Sequence, residues 1–142
     1  MATLAFSVNI NAPKEKVWDT LWDDQSYRKW TAAFMEGSYA ESDWNEGSKI
    51  FFLGSNGDGM VSTIQKKTPP DEMVFKHIGE IKNGVEEINN WENATESYFL
   101  SETNGTTELA VELKMDDSPE FEKYFTETFP KALEIIKQLS EN

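Results

Sequence analysis

The sequence predicts an α+β fold: a curved antiparallel sheet of about six to seven strands wrapped around one long C-terminal helix, with two short helices after the first strand. Three observations predict it. The middle of the chain alternates apolar and polar residues with a period of two. The separators between these runs are short and turn-like, which makes sequential strands antiparallel. The last stretch, 118–139, switches to helical spacing and at 1.5 Å per residue spans roughly 33 Å, enough to cross a small sheet.

The elements follow in order. From Thr3 to Ile10, Leu4, Phe6, Val8 and Ile10 share one face and Ala5, Ser7 and Asn9 the other, a strand with one dry side. Pro13 then opens a helix that carries Val17, Trp18, Leu21 and Trp22 on one face. Asp23-Asp24-Gln25-Ser26 breaks it, with Ser26 placed to cap a second short helix through Trp30. Six further strands are expected at 36–42, 48–54, 59–67, 72–79, 94–103 and 106–115. Their separators include Asn45-Glu46-Gly47, Asn56-Gly57-Asp58-Gly59 and Pro69-Pro70-Asp71. Asn104-Gly105 is a preferred hairpin dipeptide, flanked by the alternating Leu109, Val111, Leu113 and Met115. The polar stretch Glu80 to Glu92, which carries Gly84, reads as a long loop.

The final helix has a clear start. Ser118 is a capping residue, Pro119 fits the first helical position and Glu120 suits the positive end of the dipole. Phe121, Phe125, Phe129, Ala132, Leu133 and Ile136 form its apolar stripe, with Tyr124, Ile135 and Leu139 widening it. Pro130 divides an aromatic first half from an aliphatic second half and predicts a kinked but continuous helix. The aliphatic half is expected to anchor on the sheet and the aromatic half to border or gate an internal cavity.

Composition bounds the function. A chain of 142 residues without repeat, linker or low-complexity segment fits a single domain, 1–142. No run is apolar enough to span a membrane, no leader is seen, and there is no Cys, so a reducing cytoplasm is the expected location. Asn93 and Asn104 head Asn-x-Thr triplets, which carry little meaning without secretion. The net charge is −13, with 13 basic residues and Arg28 the single Arg. Such a surface argues against nucleic acid and anionic membranes. It serves either solubility or the docking of a basic partner.

Four stretches together resemble the START-like (SRPBCC) superfamily, across nearly the whole chain. Ala12-Pro13-Lys14-Glu15-Lys16-Val17-Trp18-Asp19-Thr20-Leu21 is similar to its opening helix, and Tyr27-Arg28-Lys29-Trp30 to the aromatic segment after its second helix. Gly59 to His77, with Pro69-Pro70 and Met73-Val74-Phe75, resembles its central hairpin. Thr128-Phe129-Pro130-Lys131-Ala132-Leu133-Glu134 resembles the last helix of the single-domain branch related to the activator of the heat-shock-protein ATPase. The resemblance implies the helix-grip fold, whose sheet and long helix enclose an apolar cavity for sterols, lipids, polyketides or hormones. A minority of relatives are cyclases, hydratases or hydrolases. The branch also implies a second role, chaperone ATPase stimulation in stress response. In the eukaryotic activators, however, much of the chaperone contact comes from a separate N-terminal domain that this chain does not match.

Reactive chemistry is sparse. His77 is the only His, and strand alternation groups it with Met73 and Phe75; if that set faces inward, its imidazole lies in the cavity as a hydrogen-bonding group or base. The other reading is a core histidine with a structural partner. A single His without Cys gives no zinc set, and no nucleophile elbow is present. Asn56-Gly57-Asp58-Gly59 lacks the ligand ladder of a calcium loop and reads as a hairpin turn. Phe52, Met60, Met73, Phe75, Trp91, Tyr98, Phe121, Tyr124, Phe125 and Phe129 form either a plain core or a cavity lining. Ser62, His77 and Thr128 lie among them as polar groups able to orient a ligand. These thirteen residues are the expected ligand-binding set, for a small hydrophobic or aromatic molecule or, in the second reading, beside a chaperone-docking surface. No cofactor, metal or catalytic residue is expected.

Overall fold

The computed structural model describes residues 2–89, 91 and 94–142. Asn93, which heads one Asn-x-Thr triplet, and Asn90 and Glu92 near the end of the Glu80–Glu92 stretch fall outside them. The elements run β1 (Ala2–Ile10), α1 (Lys14–Trp22), α2 (Asp24–Thr31), β2 (Tyr39–Glu41), β3 (Lys49–Leu53), β4 (Gly59–Thr68), β5 (Glu72–Lys82), β6 (Val85–Ile88), β7 (Thr95–Thr103), β8 (Thr106–Met115) and α3 (Pro119–Glu141). All strands join one antiparallel sheet in the order β1-β8-β7-β5-β4-β3-β2. β5 is shared lengthwise on one side: Glu72–Lys76 pairs with β7 and Gly79–Lys82 with β6.

The α+β reading holds, and two local readings are corrected. The stretch from Glu80 is no loop at its start, because β5 runs on to Lys82 and turns back into β6. Asn83 (φ 52°) and Gly84 (φ 76°) occupy the left-handed region that a two-residue hairpin of this hand requires. All four β6 residues are exposed, so no apolar alternation marks the strand. Ser26 does not cap α2. The helix already begins at Asp24, and the Ser26 hydroxyl donates back to the Asp23 carbonyl at 3.2 Å.

The sheet curves for an identifiable reason. β4 and β5 carry register shifts at Val61/Ser62 and Ile64/Lys66, and such bulges bend a strand and increase its twist. On the inner face, Leu109, Val111 and Leu113 of β8, Met73 and Phe75 of β5 and Ile50 of β3 are buried. Against them pack Val17 and Leu21 of α1, Trp30 of α2 and Phe129, Ala132, Leu133 and Ile136 of α3.

α3 is a continuous helix with Pro130 inside it. Ser118 occupies the N-cap position, its hydroxyl accepting from the Phe121 N–H at 3.5 Å, and Pro119 starts the helix. Its second half lies against β1 and α1, and at the junction of the halves Phe6 stacks on Phe129 at 5.1 Å between ring centroids. The Glu141 carboxylate closes the far end by accepting from the Asn11 N–H at 2.8 Å. Its first half is different: Phe121 is 61% exposed and Tyr124 41%.

Candidate functional site

Between the aromatic half of α3, helix α2 and the inner face of β3, β4, β5 and β7 lies a cavity of about 570 Å³. Two helices and a bent sheet meet there without filling the space. Helix α2 supplies Tyr27, Trp30 and Thr31, and the chain beyond it Phe34 and Met35. Residues 27, 30, 31 and 34 are spaced i, i+3, i+4, i+7, one helical stripe aimed inward. Trp30 is fixed by its indole N–H, which donates to the Leu21 carbonyl at 3.1 Å. From α3 come Phe121, Tyr124, Phe125 and Phe129, and from the sheet Phe52, Met60, His77, Glu96 and Tyr98. Exposed Met35, Phe121 and Tyr124 form the rim. The Tyr124 hydroxyl spans that rim, donating to the Phe34 carbonyl at 2.7 Å.

The floor is polar. Met73, Phe75 and His77 share the inward parity, and the bulge at Val61/Ser62 sets Ser62 opposite His77 across the β4–β5 pair. The Ser62 hydroxyl and His77 Nδ1 are 2.6 Å apart. The other ring nitrogen, Nε2, lies 3.4 Å from the Glu96 carboxylate, and the Tyr98 hydroxyl donates to the same carboxylate. Glu96 and Tyr98 are two apart on β7 and so face the same way. One polar string therefore runs Ser62–His77–Glu96–Tyr98, hydrogen-bonded at its two ends and joined in the middle by the 3.4 Å contact between His77 Nε2 and the carboxylate. With Nδ1 as the acceptor, the Ser62 hydroxyl donates to it, and Nε2 is the ring atom turned toward Glu96. Burial pushes the Tyr98 phenol well above the usual range, and the Glu96 charge adds to it; the Tyr27 phenol is raised by the same two causes in the same order. Both phenols are thereby held neutral, Tyr98 as a donor to Glu96.

The order hydroxyl–imidazole–carboxylate invites a nucleophilic reading, which the geometry rejects. Ser62 is fully buried and does not border the cavity, so its oxygen cannot reach a bound molecule. The string fixes the ring of His77, which is 14% exposed, and the carboxylate of Glu96, which is 23% exposed, at the cavity floor.

Of the thirteen expected residues, the structure brings nine to the cavity: Phe52, Met60, His77, Trp91, Tyr98, Phe121, Tyr124, Phe125 and Phe129. Four do not line it. Ser62 stands behind His77. Met73 and Phe75 are fully buried, and α1 covers that end of the sheet, Trp22 meeting Phe75 edge-on at 5.3 Å and Tyr98 at 4.9 Å. Inward parity alone does not expose a side chain to the cavity. Thr128 is buried one position round the helix from Phe129. The main omissions were the α2 stripe and Glu96. The stripe was legible in its spacing, and Glu96 in its parity with Tyr98 and Leu100, an acidic residue on an otherwise apolar face.

Comparison with known proteins agrees with this fold. The family model described as Activator of Hsp90 ATPase homolog 1-like protein matches residues 11–141. No curated protein matches the chain. Among solved structures, the Aha1 dimer from Colwellia psychrerythraea is similar at 19% identity and a TM-score of 0.77, over 99% of this chain and 97% of that one. Protein MLL2253 from Mesorhizobium loti follows at 16% identity and 0.74, over 97% and 96%. CalU16 from Micromonospora echinospora is similar at 15% identity and 0.69, over 96% of this chain and 64% of that one. At these identities the likeness to the solved structures is one of fold. With the family model covering all but the first strand, the chain belongs to the Activator of Hsp90 ATPase homolog 1-like family.

Proposed function

We propose that this protein is a binding module that holds a small apolar, aromatic molecule in the cavity between sheet, α2 and α3, and works in the cytoplasm without turning its ligand over. The observation that carries the reading is the cavity itself. Its volume of about 570 Å³ lies in the range of small-molecule sites, and its walls are aromatic with a few polar groups gathered on one floor. Ordinary cores leave no such space, because interiors close-pack. A bicyclic aromatic alcohol such as naphthylethanol supplies both a flat apolar body and one hydrogen-bonding group. Calorimetric titration should detect it in the wild type. Met60→Trp, which pushes an indole into the lining, should weaken binding at least about tenfold while preserving the fold. Equal affinity in the two proteins would remove the cavity as the binding site.

A second reading, docking on a chaperone and stimulating its ATPase, is favoured by the family and by the net charge of −13. It requires a basic surface on the partner and binding that weakens with salt. Absence of both binding and stimulation at low ionic strength, with the chaperone of the same organism, ends that reading.

A further inference from the structure

We propose that the cavity selects cationic ligands, an aromatic or apolar body carrying a protonated amine, with Glu96 as the acceptor. This rests on the ligand-holding reading above and specifies the head group. An unpaired carboxylate in an apolar cavity is costly, so its partners decide what the site wants. Tyr98 donates to one Glu96 oxygen, and His77 Nε2 stands 3.4 Å from the other, a long contact that leaves acceptor capacity on a group with about four lone-pair sites. Neither phenol near it brings positive charge.

The other charged residues at the lining do not offset Glu96. The Lys114 ammonium lies 3.6 Å from Glu112, its neighbour on the outward parity of β8. Asp58, near the rim, accepts the Asn83 N–H at 3.0 Å and adds negative charge, as does exposed Asp116. Among the described residues, His77 is the one group on the floor able to carry a positive charge. The walls reinforce the preference. Tyr27, Trp30, Phe52 and Phe125 line the same cavity as the carboxylate, and ring faces attract ammonium groups most strongly where water is excluded. A carboxylate in an aromatic enclosure is thus matched to an amine and opposed to a fatty or aromatic acid.

Three probes with one body and different heads test this: naphthylethylamine, naphthylethanol and naphthylacetate, titrated by calorimetry at pH 8. The amine should bind at least about tenfold more tightly than the carboxylate, with the alcohol between them, as a hydrogen bond to a charged group allows. The gap should persist at about 0.5 M salt, because screening removes the pull of the acidic exterior far more than a partly buried pair. Glu96→Gln should close most of the gap between the amine and the carboxylate. Equal binding of amine and carboxylate, preference for the carboxylate, or a gap that vanishes with salt or survives Glu96→Gln overturns the charge assignment while the cavity reading stands. Failure of all three probes to bind overturns both. The wild-type ranking and its salt dependence decide the matter even if Glu96→Gln does not fold.

Discussion

Tyr27 and Tyr98 are held as neutral phenols at the edge of the cavity, which has a consequence at high pH. Burial and the Glu96 charge raise both above the ordinary value of 10.0. A group whose folded pKa is raised contributes stability fully below its unfolded pKa, and that contribution is lost as pH climbs toward the folded value. Stability should therefore be insensitive to these two groups below pH 10. Above that it should fall by up to about 2.7 kcal/mol per pH unit, as unfolding releases two protons. Urea unfolding between pH 9 and pH 11, with phenolate absorbance followed alongside, measures this. Tyr27 and Tyr98 should ionise only with the unfolding transition; early ionisation in the folded state would mean that the floor is wetter than its burial implies.

The long helix shows how one element is divided between two tasks. Ala132, Leu133 and Ile136 are buried against β1, α1 and the sheet, whereas Phe121, Tyr124 and Phe125 border the cavity, and Phe129, at the junction, is buried and also lines it. Amide protection should therefore be highest around Ala132–Ile136 and lower around Phe121–Phe125, since local opening follows the density of buried contacts. Phe129→Ala should cost about 3–5 kcal/mol and Phe121→Ala less than about 0.5 kcal/mol. Uniform protection along the helix would contradict the division. The same helix was legible in the sequence because cap, proline and apolar stripe agree, and β8 because its alternation adjoins Asn104-Gly105. β6 was not legible, for a physical reason: an exposed strand needs no apolar face, and Asn83-Gly84 was its only signal. The candidate site was legible where parity and helical spacing point inward, as at His77, Tyr98 and Phe125. It was lost where tertiary packing decides, as at Phe75, which α1 covers.

At the scale of the molecule, the bent sheet closes on α3 along its aliphatic half and parts from it along the aromatic half, and the cavity is the space that results. A ligand that enters it should stabilise the fold by mass action, by about 2.7 kcal/mol at a hundredfold excess over its dissociation constant. The acidic exterior, with a net charge of −13, sets the sign of what approaches the rim. The central claim is that a small aromatic molecule sits between α2, α3 and the inner face of the sheet. The most direct test is the set of intermolecular nuclear Overhauser effects between naphthylethanol and the isotope-labelled protein. Contacts to the rings of Tyr27, Trp30, Phe125 and Tyr98 are predicted. Contacts confined to the outer face, at Val74 or Phe99, or none at saturating ligand, would contradict it.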